Sequence, residues 1–272
     1  MVDIDAAIGY VVAHGDPVER ARLSYLRTGA TPAQQVLDRI GAMQTRSGGW
    51  PASGDGTVAS VDATCFRLAE IDDLGALHTP VAASALGWLA GVQRPDGTWE
   101  EDQSLAAEAP PWAMPGDPEA QLYLTAVAGF WLALADAGKR PRFAPPDGSG
   151  PYAAMVRTAA QFVVGRLLPD GTWPSFLATG WYAAGLLHDQ GNYYEAARVQ
   201  YVLGDRLPGM SPADVASMAA TLRRIGTGDD YWLLDAARKR LGETQRSDGG
   251  WDSDEGPIFD VHATLTAIRA CR

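Results

Sequence analysis

A spaced repeat constrains the fold of this chain more than any other feature. MQTRSGGW, VQRPDGTW, LLPDGTW and TQRSDGGW end at Trp50, Trp99, Trp173 and Trp251. A glycine (Gly48, Gly97, Gly171, Gly249) stands two residues before each tryptophan. Six residues before it comes Gln44, Gln93 or Gln245, with Leu167 in the third copy. Four residues before that position lies an apolar side chain, Ile40, Leu89, Val163 or Leu241. Repetition of this kind calls for an array of similar units that bury their apolar faces against one another.

Between the repeats, apolar residues recur at helical spacing and alternating β-branched runs are nearly absent, so the chain reads as all-α. Glycine, proline and capping signals divide it into about twelve helices, at roughly 3–14, 16–28, 31–44, 61–74, 80–93, 118–137, 151–167, 175–189, 193–205, 211–226, 230–245 and 259–271. PAQQVLDRIGAMQ and YWLLDAARKRLGETQ are amphipathic, as outer helices would be. QLYLTAVAGFWLALADAG and SFLATGWYAAGLLHDQ are apolar or small on nearly every face, as expected of helices covered on all sides. Each tryptophan repeat then joins an outer helix to the inner helix that follows. Glycine there supplies a positive φ for the reversal, and the glutamine amide can reach backbone groups left unpaired at a helix end.

A chain of 272 residues, 46% of them apolar, can bury one large core, and one domain is expected over 1–272. A formal charge of −11 argues against nucleic acid or anionic lipid as partner, since both need a basic face. Two cysteines are too few for a disulfide framework or a thiolate zinc cage. The sequence contains no uninterrupted apolar run of membrane-spanning length, and MVDIDAAIGYVVAHGD lacks a basic leader; no transmembrane segment and a cytoplasmic location are expected.

The Gln-x-x-x-Gly-x-Trp repeat resembles the QW motif of squalene and terpene cyclases, whose α/α-toroid is shared with protein prenyltransferase β subunits. The likeness runs from about residue 31 to 272. It implies six helical hairpins in inner and outer rings, with repeats at 44–50, 93–99, 167–173 and 245–251. GGWPASGDGTVASVDATCFRLAE also resembles the cyclase segment in which GGW precedes an Asp-x-Asp-Asp-Thr motif. The central aspartate of that motif protonates an alkene or epoxide. Aligned on Thr64, this chain has Ser60, Val61, Asp62 and Ala63, so the central aspartate is present and both flanking ones are absent. A parallel segment, GGWDSDEGPIFDVHATLTAI, places Asp260 and His262 where Ser60 and Asp62 stand.

The resemblance implies a class II terpenoid cyclase acting on an apolar isoprenoid substrate, an isomerase in which Asp62 is the general acid and His262 and Asp260 tune or relay its proton. Such an acid must stay neutral at working pH, and no second carboxylate is visible beside Asp62 in the sequence. Aromatic faces stabilise the cation that forms; Tyr123, Phe130, Trp131, Phe176, Trp181 and Tyr182 on two expected inner helices, and Trp112 in the long 100–120 loop, are the candidates for substrate contact. The structural alternatives are that Asp62 and Ser60 cap a helix, that His262 is a hydrogen-bonded core residue, and that the aromatics are core. On those readings the chain is a non-catalytic toroid that binds a hydrophobic ligand or a partner protein.

No cofactor or metal is expected. Asp229, Asp230 and Asp235 miss the spacing of a magnesium-diphosphate motif, and Cys65 and His262 miss that of the prenyltransferase zinc site. Cyclases of this kind usually work between two helical domains. A lone domain would need a second helical domain, self-association or a site inside its own barrel.

Overall fold

A computed structural model describes residues 1–54, 56–138, 148–228 and 231–272. Twelve α-helices run through them: α1 (Ile4–His14), α2 (Pro17–Thr28), α3 (Gln34–Gly41), α4 (Val61–Asp73), α5 (Pro80–Gly91), α6 (Pro118–Ala137), α7 (Ala153–Arg166), α8 (Leu177–Asp189), α9 (Tyr193–Arg206), α10 (Pro212–Arg224), α11 (Trp232–Thr244) and α12 (Asp260–Cys271). These follow the expected helices closely because proline and capping side chains fix many of their starts. Asp16, for example, accepts the Glu19 N–H at 2.8 Å while the Glu19 carboxylate accepts the Asp16 N–H, closing a capping box before Pro17. The main departure is α3, shorter than the expected 31–44 at both ends. Most of the long 138–151 loop, with Asp229 and Asp230, lies outside the described residues.

The repeat turns share one geometry. In each, a residue just after the helix donates its N–H to a carbonyl four residues on and accepts the N–H of the repeat glycine: Thr45 with Gly49 and Gly48, Arg94 with Thr98 and Gly97, Leu168 with Thr172 and Gly171, Arg246 with Gly250 and Gly249. The four glycines have φ of 103°, 85°, 88° and 92°, the left-handed region that this reversal requires. Gln44 Nε2 donates to the Gly48 carbonyl at 2.7 Å and to the Val81 carbonyl in α5 at 3.0 Å. Gln93 does the same to Gly97 and to Met155 of α7, both at 3.0 Å. Gln245 donates to Gly249 at 2.9 Å and to the Asp3 carbonyl at 2.8 Å, and its Oε1 accepts the Asp3 N–H. The glutamine therefore ties its own turn to the start of another helix, α5, α7 or α1. Where Leu167 replaces it, Arg198 of α9 reaches back to the Leu168 carbonyl at 2.8 Å and to Pro169.

The indoles complete the joint. Trp50, Trp99 and Trp251 donate Nε1–H to the carbonyls of Ile40, Leu89 and Leu241, the apolar positions picked out by the repeat, at 3.1, 2.8 and 3.0 Å. Their backbone N–H groups donate to Thr64, Thr125 and Thr264 on the following buried helices. All three are at most 1% exposed. Burying an indole removes on the order of 200 Å² from water, a gross stabilisation of roughly 5 kcal/mol as an upper estimate.

The chain forms two compact units. In the first (Met1–Val36, Asp73–Gly75, Tyr201–Arg272), α10 packs along α12, and α12 packs against α1 and α2. Helix α11 shows its core only a stripe, Leu233, Leu234, Ala237 and Leu241, whereas eight of the twelve residues of α12 are buried. This unit also holds an ion cluster around Asp73, 2% exposed. Its Oδ2 accepts from Arg22, and its Oδ1 from Arg224 and Arg269, each at 2.8 Å. Burial acts to raise the Asp73 pKa, but Arg224, Arg269 and Arg22 overcome it and hold the carboxyl at about 2.

The second unit (Leu37–Asp72, Ala76–Gln200) is built on α6, which packs against α5, α7 and α8. Every residue from Leu122 to Ala133 is buried, as the uniformly apolar sequence demands. By length and composition α6 also meets the requirement for crossing a membrane, contrary to the reading that no segment does; 78% of its most apolar window is buried inside the protein, the signature of a core helix. The all-α reading missed one ribbon, β1 (Trp50–Pro51) paired antiparallel with β2 (Ala59–Ser60), with Trp50 opposite Ser60. That pairing delivers the chain to the start of α4.

Candidate active site

Helix α4 opens with backbone N–H groups that need acceptors. The Ser60 hydroxyl accepts the Ala63 N–H at 3.0 Å, as a helix cap would. The Glu101 carboxylate, 4% exposed, supplies the rest. Its Oε2 accepts the Val61 N–H at 2.9 Å, and its Oε1 accepts the Asp62 N–H at 2.9 Å and the Ser60 O–H at 2.7 Å. The capping role that the sequence offers as an alternative for Asp62 is thus filled by Ser60 and Glu101.

The half-buried Asp62 carboxyl turns to two side-chain donors. Trp112 Nε1 donates to Oδ2 at 3.1 Å and the Tyr123 hydroxyl donates to Oδ1 at 3.0 Å. Tyr123 stands on α6, and Trp112 on a 3₁₀ turn, Pro111–Ala113, packed against that helix. Glu100 secures this loop by accepting the Gly116 N–H at the loop's far end and pairing with Arg94. The neighbouring acids Glu100 and Glu101 therefore serve the 100–120 loop and the helix start respectively.

Burial raises the Asp62 pKa, against the lowering effect of the Trp112 and Tyr123 hydrogen bonds, so the neutral acid is favoured relative to an exposed aspartate. Glu101 is also raised, first by burial, with its three donors opposing and the Asp62 charge adding. The expectation that no carboxylate stands beside Asp62 is corrected: Glu101 does, brought there from 39 residues away. Burial, then Asp62 and Glu101, push the Cys65 thiol well above its usual range; burial, then Asp62, do the same for the Tyr123 phenol. Both remain uncharged at neutral pH.

From Tyr123 a line of rings runs inward. Tyr123 meets Tyr182 of α8 edge-on at 6.2 Å, and Tyr182 meets Phe130 at 5.6 Å and Trp181 at 6.2 Å. Phe130 and Trp131, each 1% exposed, stack edge to face, and Trp181 is 3% exposed, so these three candidates are core rather than surface offered to a ligand. Tyr182, Phe176 and Trp112 retain exposed surface. Phe176 sits at the start of α8, its carbonyl accepting the Trp173 indole at 2.8 Å.

Asp260 and His262 belong to the first unit, where each has partners of its own. Asp260, 7% exposed, accepts from Arg246 at 2.6 Å and from the Ser253 N–H at 2.9 Å. Arg22 donates to His262 Nδ1 at 3.1 Å, which occupies the lone pair a proton relay through that nitrogen would use. Register between the two parallel segments holds at Thr64 and Thr264, both of which accept a tryptophan N–H.

No protein-family profile matches the sequence, and no curated protein matches it. Solved structures do match over nearly the whole chain. A protein from Actinoplanes is 17% identical with a TM-score of 0.59, covering 99% of this chain and 88% of its own. The type II terpene cyclase MstE from Scytonema is 16% identical with a TM-score of 0.61, covering 98% and 86%. The fold is that of a type II terpene cyclase. The ent-copalyl diphosphate synthase from Streptomyces platensis, 18% identical with a TM-score of 0.57, matches 94% of this chain with 50% of its own length. A variant of MstE has been solved with its substrate, geranylgeranyl dihydroxybenzoate. The architecture of this chain is accordingly the all-α, α/α-toroid class.

Proposed function

We propose that this protein is a class II type terpenoid cyclase acting on an apolar isoprenoid chain, with Asp62 as the general acid. The observation that carries the reading is the Asp62 carboxyl itself. It is relieved of helix capping, desolvated, and held by Trp112 and Tyr123. Burial favours the neutral acid before reaction, and the two donors stabilise the carboxylate as its charge develops, which is where donors lower a barrier. The Asp62 O–H transfers its proton to a terminal alkene carbon. A C–H bond forms from the π pair, leaving a tertiary cation on the chain and a carboxylate on Asp62. Internal alkenes close the rings in turn, and the last cation loses a proton to a base, so product and substrate are isomers. Tyr182, Phe176 and Trp112 present aromatic faces suited to a cationic chain. The fold likeness to cyclases that take isoprenoid substrates supports the same class of ligand.

The test is incubation of purified protein with squalene, geranylgeraniol and geranylgeranyl diphosphate, wild type against Asp62→Asn, with products resolved by mass spectrometry. The wild type should yield a cyclic isomer of one substrate, and Asp62→Asn should lose on the order of 10²–10⁴ in rate. Equal product from both forms would end the role of Asp62. Binding without turnover in both would favour a toroid that only holds a hydrophobic ligand, in keeping with the missing flanking aspartates at Ser60 and Ala63.

A further inference from the structure

We infer that Glu101 is a positioning residue for Asp62: it takes over the start of α4, so that the Asp62 carboxyl is released towards Trp112 and Tyr123. The inference rests on the reading of Asp62 as the acid and adds a second carboxylate to it. An aspartate in the first turn of a helix has two other ways to be used. Its side chain can fold back on the N–H groups of the turn, or it can ionise in favour of the helix dipole, each of which holds it as an anion. Glu101 removes the first. Its two oxygens accept the Val61 and Asp62 N–H groups and the Ser60 hydroxyl. What remains for the Asp62 oxygens is the pair of side-chain donors from Trp112 and Tyr123.

The titratable groups around Asp62 are few. Cys65 follows on α4, Tyr123 faces it from α6, Tyr182 of α8 lies beyond Tyr123, and Glu101 approaches from the loop after Trp99. Glu101 is the other carboxyl of this set. Coupling between two carboxyls is reciprocal, and the pair titrates as a pair. Glu101 also lines an open pocket of about 580 Å³ together with Ala59, Val61, Trp88 and Arg94.

The experiment uses the full chain and two readouts. In the first, rate is measured against pH for the wild type and Glu101→Gln with whichever of squalene, geranylgeraniol or geranylgeranyl diphosphate is turned over. Activity needs the protonated acid and is lost as pH rises through its pKa. With one acceptor oxygen left for three donors, the Asp62 carboxyl should fold back on the freed N–H groups, which favour its anion, and move that falling limb to lower pH by half a unit or more, a three-fold or greater loss of kcat on the alkaline side, with KM little changed. A residue that only capped the helix would alter the melting temperature and leave the limb in place. The second readout needs no substrate. Infrared difference titration of the carboxyl bands should show Asp62 losing its proton at lower pH in Glu101→Gln than in the wild type, the Asp62 band being assigned by its absence from Asp62→Asn. An unmoved limb in folded Glu101→Gln overturns the inference, as does an Asp62 band that stays in place. If Asp62→Asn turns over substrate as well as the wild type, the general-acid reading itself fails; if it is inactive while Glu101→Gln keeps the wild-type profile, only the role of Glu101 falls.

Discussion

Replacing Asp73 by asparagine should cost the protein a large part of its stability. The carboxylate is 2% exposed and is shared by three guanidinium groups, those of Arg22, Arg224 and Arg269, each at 2.8 Å. Asparagine keeps the shape but offers one acceptor oxygen, and turns an N–H₂ group towards cations that can only donate. Removing one partner from a buried ion cluster typically costs roughly 3–5 kcal/mol. For a chain of this size that corresponds to a fall of about 6–10 °C in Tm.

The pH dependence isolates the charge. An ordinary value of 3.8 lowered to about 2 in the folded state contributes roughly 2 kcal/mol. Because the folded pKa lies below the unfolded one, this contribution is complete above about pH 4 and is lost as pH falls towards 2. Urea denaturation of wild type and Asp73→Asn at pH 7, 4 and 2.5 should therefore give a gap that is wide at the first two and narrows at the third. A gap below about 1 kcal/mol at pH 7, or one that does not narrow in acid, would refute the description of Asp73 as an ionised hub.

Two further substitutions probe the repeat turn and the acid site. Gly249→Ala should destabilise by more than the roughly 1–3 kcal/mol of an alanine forced to positive φ, since a Cβ there would lie 2.3 Å from the Ala6 carbonyl oxygen; a denaturation midpoint within about 0.5 kcal/mol of wild type would contradict that packing. Tyr123→Phe removes a hydrogen bond that lowers the Asp62 pKa, so the acid should stay protonated to higher pH and the falling limb of any cyclase activity should move upward, opposite to Glu101→Gln, while kcat drops. Movement in the same direction for both variants would break the proposed division of labour.

Much of the fold was readable because its signals are local. Helical periodicity, Pro17, Pro80, Pro118 and Pro212 at helix starts, and the tryptophan turns each act within a few residues. Helix α3 ends early because Gln44 has to leave the helix to reach the Gly48 and Val81 carbonyls, and the second of these partners is 37 residues distant. The candidate site was legible only in part. Asp62 and Tyr123 were marked by the motif and by aromatic density, and Trp112 by its odd place among acids and prolines. Glu101 was missed because its partners lie at residues 60–62. One signal was available: an acidic pair, Glu100 and Glu101, directly follows Trp99, where the other repeats continue with Pro51, Pro174 or Asp252. Asp260 and His262 were matched to Ser60 and Asp62 correctly in register, but register does not carry environment, and Arg246 and Arg22 give them other partners.

The joint between Gln245 and Asp3 bears on the order in which the molecule assembles. Its two residues are 242 positions apart, whereas Gln44 and Gln93 find their second acceptors 37 and 62 positions on. On the ribosome the earlier joints can form while synthesis continues, but helix α1 must wait for nearly the whole chain to emerge before its first turn meets the last tryptophan repeat. Closing so long a loop carries the largest entropy loss of any joint in the series, which makes it a late step in folding and the one most exposed to interruption.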